Sequence, residues 1–110
     1  MATHNGQSAV IEIGRFAISR EDPSLDGHFP GQPVVPGVVI LAECVSLIEA
    51  ALGKGPVVAL RDVKFRRPLG PEENVAVRYV LPAPDRVNFA GYVGDAVLIS
   101  GVALLEVPQP

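Results

Sequence analysis

The chain has no tryptophan, one methionine and 5% aromatic residues, so whatever core it builds must be aliphatic. It has a single cysteine, Cys44, which excludes an internal disulfide and any cysteine-based metal cluster. A reducing compartment, the cytoplasm, is expected. Nine basic residues against twelve acidic ones leave a net charge of -3 and a pI near 5.2, which removes the basic surface that binds phosphate backbones. No nucleic-acid partner is expected. Residues 1–8 have neither a basic start nor an apolar run, so a signal peptide is not expected, and this stretch reads as a disordered tail before a domain over 9–110. The 110 residues suffice for one core and not two. Eleven glycines and eleven prolines recur at no fixed period, which rules out collagen and solenoid repeats. The longest apolar stretch, 34–52, is interrupted by Pro36, Gly37, Glu43 and Glu49, and reads as a buried soluble helix with no membrane partner.

What is present is 48% hydrophobic and only 19% charged, with a mean hydropathy of +0.32. For so short a chain this implies apolar surface left over for another subunit. Residues 9–18 are β-branched and aromatic, interrupted by Glu12 and Arg15, and suit a strand with one wetter face. Prolines at 23, 30, 33 and 36 then forbid a lasting helix or ladder, while Phe29, Val34 and Val35 argue for an ordered loop. Pro36 starts a helix that runs to Leu52 and stops at Gly53. At about 100° per residue, Val38, Leu41, Val45, Ile48 and Leu52 fall on one side and Glu43, Ser46 and Glu49 on another. Four β-rich segments follow, 57–67, 74–81, 86–93 and 96–107, separated by Pro, Gly and Asp turns. They are expected to form a four-strand meander. An antiparallel sheet wrapped over one central helix, an α+β domain, buries that helix most simply.

The segment from Gly27 to Val39 carries the chemistry. Its prolines at 30, 33 and 36 repeat with the period of a polyproline II turn, which stiffens the mount of His28. His28 and His4 are the two histidines, and His4 lies in the tail. By itself His28 fits either a hydrogen-bonded loop residue or a neutral-pH acid/base. Gly37 at the helix start offers an N–H suited to a carbonyl gaining negative charge, or serves only the bend after Pro36.

The run Gly27-His28-Phe29-Pro30-Gly31-Gln32-Pro33-Val34-Val35-Pro36-Gly37-Val38 resembles the signature of the β-hydroxyacyl-acyl carrier protein dehydratases of the hot-dog fold. So does Asp62-Val63-Lys64-Phe65-Arg66-Arg67-Pro68 followed by Gly70 and Pro71, which is similar to that family's strand ending in Phe-x-x-Pro before a turn. The resemblance covers roughly residues 22–73. It implies a hot-dog fold and dehydration of (3R)-3-hydroxyacyl thioesters to trans-2-enoyl thioesters in fatty-acid or related acyl biosynthesis. His28 would remove the C2 proton and the Gly37 amide would hold the thioester oxygen, aided by the helix dipole. The His28–Phe29 peptide would be strained or cis, as it often is in that family. No metal and no organic cofactor is implied. The substrate would arrive on an acyl carrier protein. Assembly would be a dimer or higher homo-oligomer, or a hetero-oligomer with a related hot-dog subunit, because in that family each site is closed by a second subunit.

The chain departs from this family at one position. The resembled enzymes keep a carboxylate fourteen residues after the histidine to protonate the departing hydroxyl, and here that position is Ala42, with Glu43 one residue late. One helical residue is about 100° of rotation, so Glu43 is either a solvated or interface carboxylate or, through a local shift or a water, the replacement acid. Losing a general acid costs roughly 10²–10⁴ in rate. The loop carboxylates Glu21, Asp22 and Asp26 have no geometric claim to the role. Cys44 reads as a buried, inert thiol and not as a nucleophile partnered by His28. Arg61, Lys64, Arg66 and Arg67 hold four of the nine basic residues, with Lys64 and Arg66 expected on one strand face, either as solvated charges or as a dock for an acidic carrier. A catalytically weak or inactive subunit that binds acyl thioesters or completes a partner's site is the alternative function. An acyl thioesterase comes third.

Overall fold

Two local stops define the central helix. The computed structural model describes residues 10–25 and 33–106, and in it α1 spans Gly37–Leu52. Pro36 sits before it in an extended conformation (φ -60°, ψ 142°), and Gly53 ends it at φ 61°, where its N–H donates to the Glu49 carbonyl. Proline has no N–H to lose at a helix start, and glycine takes the left-handed conformation of the stop without strain. The strands are β1 (Ile11–Phe16), β2 (Val57–Phe65), β3 (Val75–Ala83), β4 (Arg86–Val93) and β5 (Ala96–Leu105), with one 3-10 turn at Pro23–Leu25. The expected tail, 1–8, lies outside the described residues.

All five strands join one antiparallel sheet in the order β1-β3-β4-β5-β2. The expected four-strand meander therefore holds only for β3-β4-β5. β3 and β4 turn at Pro84-Asp85 and β4 and β5 at Gly94-Asp95, two-residue connections that force neighbours to pair. The connection from β2 to β3 spans residues 66–74, with Pro68 and Pro71 inside it. It is long enough for β2 to leave β3 and pair with β5 on the far side, Leu60 opposite Ala103 and Phe65 opposite Ile99.

The helix reaches both edge strands. Leu47 packs on Gly14 of β1, and the Phe65 ring of β2 lies against Gly37. In a flat sheet those edges would stand about 19 Å apart, so the sheet must curl around α1. Bulges supply the curl. In β2 the register slips between Arg61 and Lys64 around Asp62, which sits at φ 56°.

Ile40, Cys44 and Ile48 form the buried stripe of α1, packed in one cluster with Val75, Val77, Phe89, Ile99 and Ala103. This corrects the stripe read from the sequence. Ile48 is buried as expected, but Val38 is 73% exposed. A helix that is apolar nearly all round has no strong preference for one face, and the curvature of the sheet made the choice. Ala42, Ser46 and Ala50 are exposed with Val38, while Glu49 is half-buried and accepts the Val57 N–H at 2.8 Å.

Candidate active site

The start of α1 is also the wall of a cavity. A space of about 470 Å³ is lined by Val35, Gly37, Ile40, Phe65 and the segment Arg66, Arg67, Pro68 and Leu69. The first intrahelical bonds are donated by Val39 and Ile40, both to the Pro36 carbonyl at 3.0 and 3.3 Å. The amides of Gly37 and Val38 precede them and donate to no acceptor among the described residues. Unsatisfied amides at the positive end of a helix macrodipole stabilise an oxygen that gains negative charge. Position 37 is also sterically tight: a Cβ there would meet the tip of the Phe65 ring at 3.0 Å, so the half-exposed ring would have to give by a few tenths of an ångström.

Opposite the helix, the cavity wall is held by backbone and ion pair. The Val35 N–H donates to the Leu69 carbonyl at 2.8 Å, which fixes the approach to Pro36 against the fully buried Leu69. Arg66 donates its own N–H to the Leu98 carbonyl. The strand ends at Phe65, two residues earlier than expected, so the alternation meant to put Lys64 and Arg66 on one face stops and Arg66 turns into the cavity wall. Lys64 does not line it. Arg67 pairs with Glu73 at 3.2 Å, and Arg66 has no carboxylate partner among the described residues. Phe65, half-exposed across the helix start, is the site residue that the sequence reading left without a role. Its signal was present in the Phe-x-x-Pro block.

The other candidates fall in three places. His28, the His28–Phe29 peptide and Asp26 lie outside the described residues, as does His4. Gly37 is in the cavity. Ala42 and Glu43 are not: Ala42 is exposed on the helix face turned from the sheet, and Glu43 is half-buried on the flank shared with Leu47, toward β1. Glu43 stands about 120° around the helix from Gly37 and about 9 Å further along it. Beside it the Cys44 thiol is pushed up to about 12, by burial first and by the Glu43 charge second. Such a thiol stays protonated and inert at neutral pH. Among the loop carboxylates, Glu21 accepts the Ser19 hydroxyl at 2.9 Å. The Ser24 side chain close to Asp22, together with the Ser24 N–H that donates to Asp22 Oδ1 at 2.8 Å, holds the Asp22 carboxyl below its usual range, which makes Asp22 a poor proton donor. Among the described residues no group of three His, Cys, Asp or Glu is placed to hold a metal, and no helix is long and apolar enough to cross a membrane.

The chain is similar to known proteins. Residues 3–106 match the model of a family described as ApeI-like, ApeI dehydratase. A 3-hydroxyacyl-[acyl-carrier-protein] dehydratase FabZ of Gluconobacter oxydans (strain 621H) is 37% identical over 113 aligned residues, covering 94% of this chain and 64% of that protein. One of the same name from Brucella abortus (strain S19) is 32% identical, covering 88% of this chain and 66% of that protein. The chain thus spans a little under two thirds of the length of these curated relatives. Among solved structures, the dehydratase heterocomplex ApeI:P from Xenorhabdus doucetiae superposes with a TM-score of 0.69 at 21% identity, over 87% of this chain and 96% of that one. Protein af1124 from Archaeoglobus fulgidus reaches a TM-score of 0.60 at 19% identity, over 96% of this chain and 82% of that one. These two likenesses show the fold, one curled antiparallel sheet around one helix.

Proposed function

The chain belongs to the ApeI-like dehydratase family, and from that premise we propose that it converts (3R)-3-hydroxyacyl thioesters, delivered on an acyl carrier protein in the cytoplasm, to trans-2-enoyl thioesters and water. The observation that supports this reading is the Gly37 amide, which donates to no acceptor among the described residues, in the wall of a largely apolar cavity large enough for the reacting end of an acyl chain. The His28 imidazole takes the C2 proton. As the C2–H electron pair moves toward the thioester, the Gly37 N–H and the helix start hold the oxygen that becomes negative. The charge then returns, the C2–C3 double bond forms, and the 3-hydroxyl leaves as water with a proton from an acid. Glu43, which lies outside this cavity, is the candidate for that acid through a local shift or a bridging water. No cofactor is needed for this chemistry. The test is hydration of a crotonyl thioester, the reverse reaction. His28→Ala should lower its rate by about 10²–10⁴ while melting stays within a few degrees of the parent. Activity that survives within about tenfold assigns the base to another residue.

A second reading is favoured by the helix face. Ala42 stands where the acid would be, exposed beside the 73% exposed Val38, and β2 leaves one long edge of the sheet open with Val58 57% exposed. An uncovered strand edge and an uncovered apolar helix face both suit a second subunit. The Xenorhabdus counterpart is itself a heterocomplex. On this reading the chain is a weak or inactive subunit that binds acyl thioesters and supplies Gly37 to a site whose acid comes from a related hot-dog subunit. An inert protein that becomes active only on mixing with such a subunit supports it.

A further inference from the structure

One residue of the cavity-side turn is held in a conformation that its side chain disfavours. Glu72 sits at φ 69°, in the left-handed region, where glycine is the residue without a steric cost. A non-glycine residue there persists when other contacts over-determine it, and Glu72 makes two, both to the same distant strand end. Its N–H donates to the Ile18 carbonyl at 2.8 Å, and its carboxylate oxygen accepts the Arg20 N–H at 2.9 Å. Fifty-two residues separate Arg20 from Glu72 in the sequence. A glycine could make the first of these bonds and never the second.

The turn that carries Glu72 is itself braced. The Gly70 N–H donates to Glu73 Oε1 at 2.8 Å, and the other Glu73 oxygen pairs with Arg67. Its first half, Arg66 to Leu69, is the cavity wall, and Leu69 receives the Val35 N–H. Beyond Arg20 the gripped chain continues through Asp22 N–H to Ser19 O and Leu25 N–H to Asp22 O, both at 3.0 Å, into the 3-10 turn. One turn therefore holds the described chain on both sides of residues 26–32, Ile18–Leu25 through Glu72 and Val35 through Leu69. We propose that Glu72 is a positioning residue, a side-chain clamp that fixes the chain leading toward His28 relative to the cavity wall that carries Gly37. The role in turnover rests on the dehydratase reading; the clamp itself does not.

The test uses Glu72→Gly and Glu72→Gln in the full chain. Glycine is the better residue at φ 69°, so Glu72→Gly should melt no lower than about 5 °C below the parent, yet free the Arg20 amide to exchange with solvent about tenfold faster or more. Glu72→Gln keeps an oxygen that accepts the Arg20 N–H and should leave exchange near the parent rate. In turnover, Glu72→Gly should lower kcat about tenfold or more with KM within about threefold, because misplacement of a reacting group acts on the chemical step. Glu72→Gln should restore most of kcat. Unchanged Arg20 exchange in Glu72→Gly overturns the clamp, and unchanged kcat with faster exchange overturns its role in positioning. A parent that neither hydrates nor dehydrates overturns the functional reading, and the Arg20 exchange still decides the clamp.

Discussion

The two faces of α1 have nearly the same composition and opposite fates. Toward the sheet, Ile40, Cys44 and Ile48 are almost wholly removed from water and packed with strands from the whole sheet. Away from it, Val38, Ala42, Ser46 and Ala50 stand exposed, although three of the four are apolar. Burial stabilises the first face at about 25 cal/mol per Å² of apolar surface, while the second gains nothing until something covers it. Stability and the candidate function are thus divided across one helix. The inner face holds the fold, the N-terminal end holds the candidate oxyanion donor, and the outer face holds the position where the resembled enzymes keep their acid.

The sharpest way to break that division is at Ala42 and Glu43, where an effect of about 10²–10⁴ in rate, or roughly 3–5 kcal/mol, is at stake. If the outer face is where an acid acts, Ala42→Glu should raise crotonyl thioester hydration and Glu43→Gln should leave it nearly unchanged. If Glu43 already serves, Glu43→Gln lowers the rate by that factor and Ala42→Glu adds little, since two neighbouring carboxylates raise one another's pKa. Both variants should melt within a few degrees of the parent, and an inert parent left inert by Ala42→Glu favours the partner-subunit reading.

The inner face should respond in the opposite manner. Ile48→Ala is expected to cost about 2–5 kcal/mol in denaturant unfolding, because the sheet around it relaxes only partly into the cavity. Ser46→Ala, two residues away and exposed, should stay within about 0.5 kcal/mol. A loss at Ser46 comparable to that at Ile48 would mean that the outer face is already buried in an assembly.

That assembly gives a third and smaller effect. Light scattering at micromolar concentration should return a mass above the 11.6 kDa of one chain. Val38→Lys, which places a charge on the exposed face, should weaken association about tenfold or more, roughly 1.4 kcal/mol, with little change in the melting of each subunit. A monomeric parent would instead point to a different chain as the partner.

The smallest effect belongs to Cys44. Its folded pKa of about 12 lies above the ordinary value of 9.0, so the folded chain holds this proton more tightly than the unfolded one. This contribution to stability is complete well below pH 9 and is lost as pH rises from about 9 toward about 12. Unfolding free energy should show no Cys44-dependent change between pH 6 and 8, and by pH 10 should fall by roughly 1 kcal/mol relative to Cys44→Ala. Alkylation of the native thiol at pH 8 should be slow and become fast in urea. Rapid native alkylation would mean that the inner face opens.

The reading from sequence reached unequal depths along the chain. Gly53 ended α1 where expected, while Pro36, read as the first helical residue, stands just before it in an extended conformation; both signals act within one or two residues. The resemblance in 27–39 pointed to Gly37, and Gly37 lines a cavity; its role there is part of the proposed function. Which stripe of α1 is buried was misread at Val38, since Val38 and Ile40 are equally apolar and only the curl of the sheet distinguishes them. Phe65 against Gly37 was not anticipated, for it joins residues brought together by the β2–β5 pairing and the bulge at Asp62.

Near neighbours alone decide the helix, its glycine stop, the succession of β3, β4 and β5 with turns between them, the aliphatic core composition, and the proline-spaced segment that carries the family resemblance; that β3 runs on to Ala83 and leaves a two-residue turn is seen only in the structure. The crossing of β2 to the far edge, the face α1 presents to solvent, the cavity at its start and the reach of Glu72 to Arg20 were decided by the tertiary structure. Each depends on groups far apart in the chain whose contact is made only when the sheet closes around the helix, and the order of residues alone carries no distance between them.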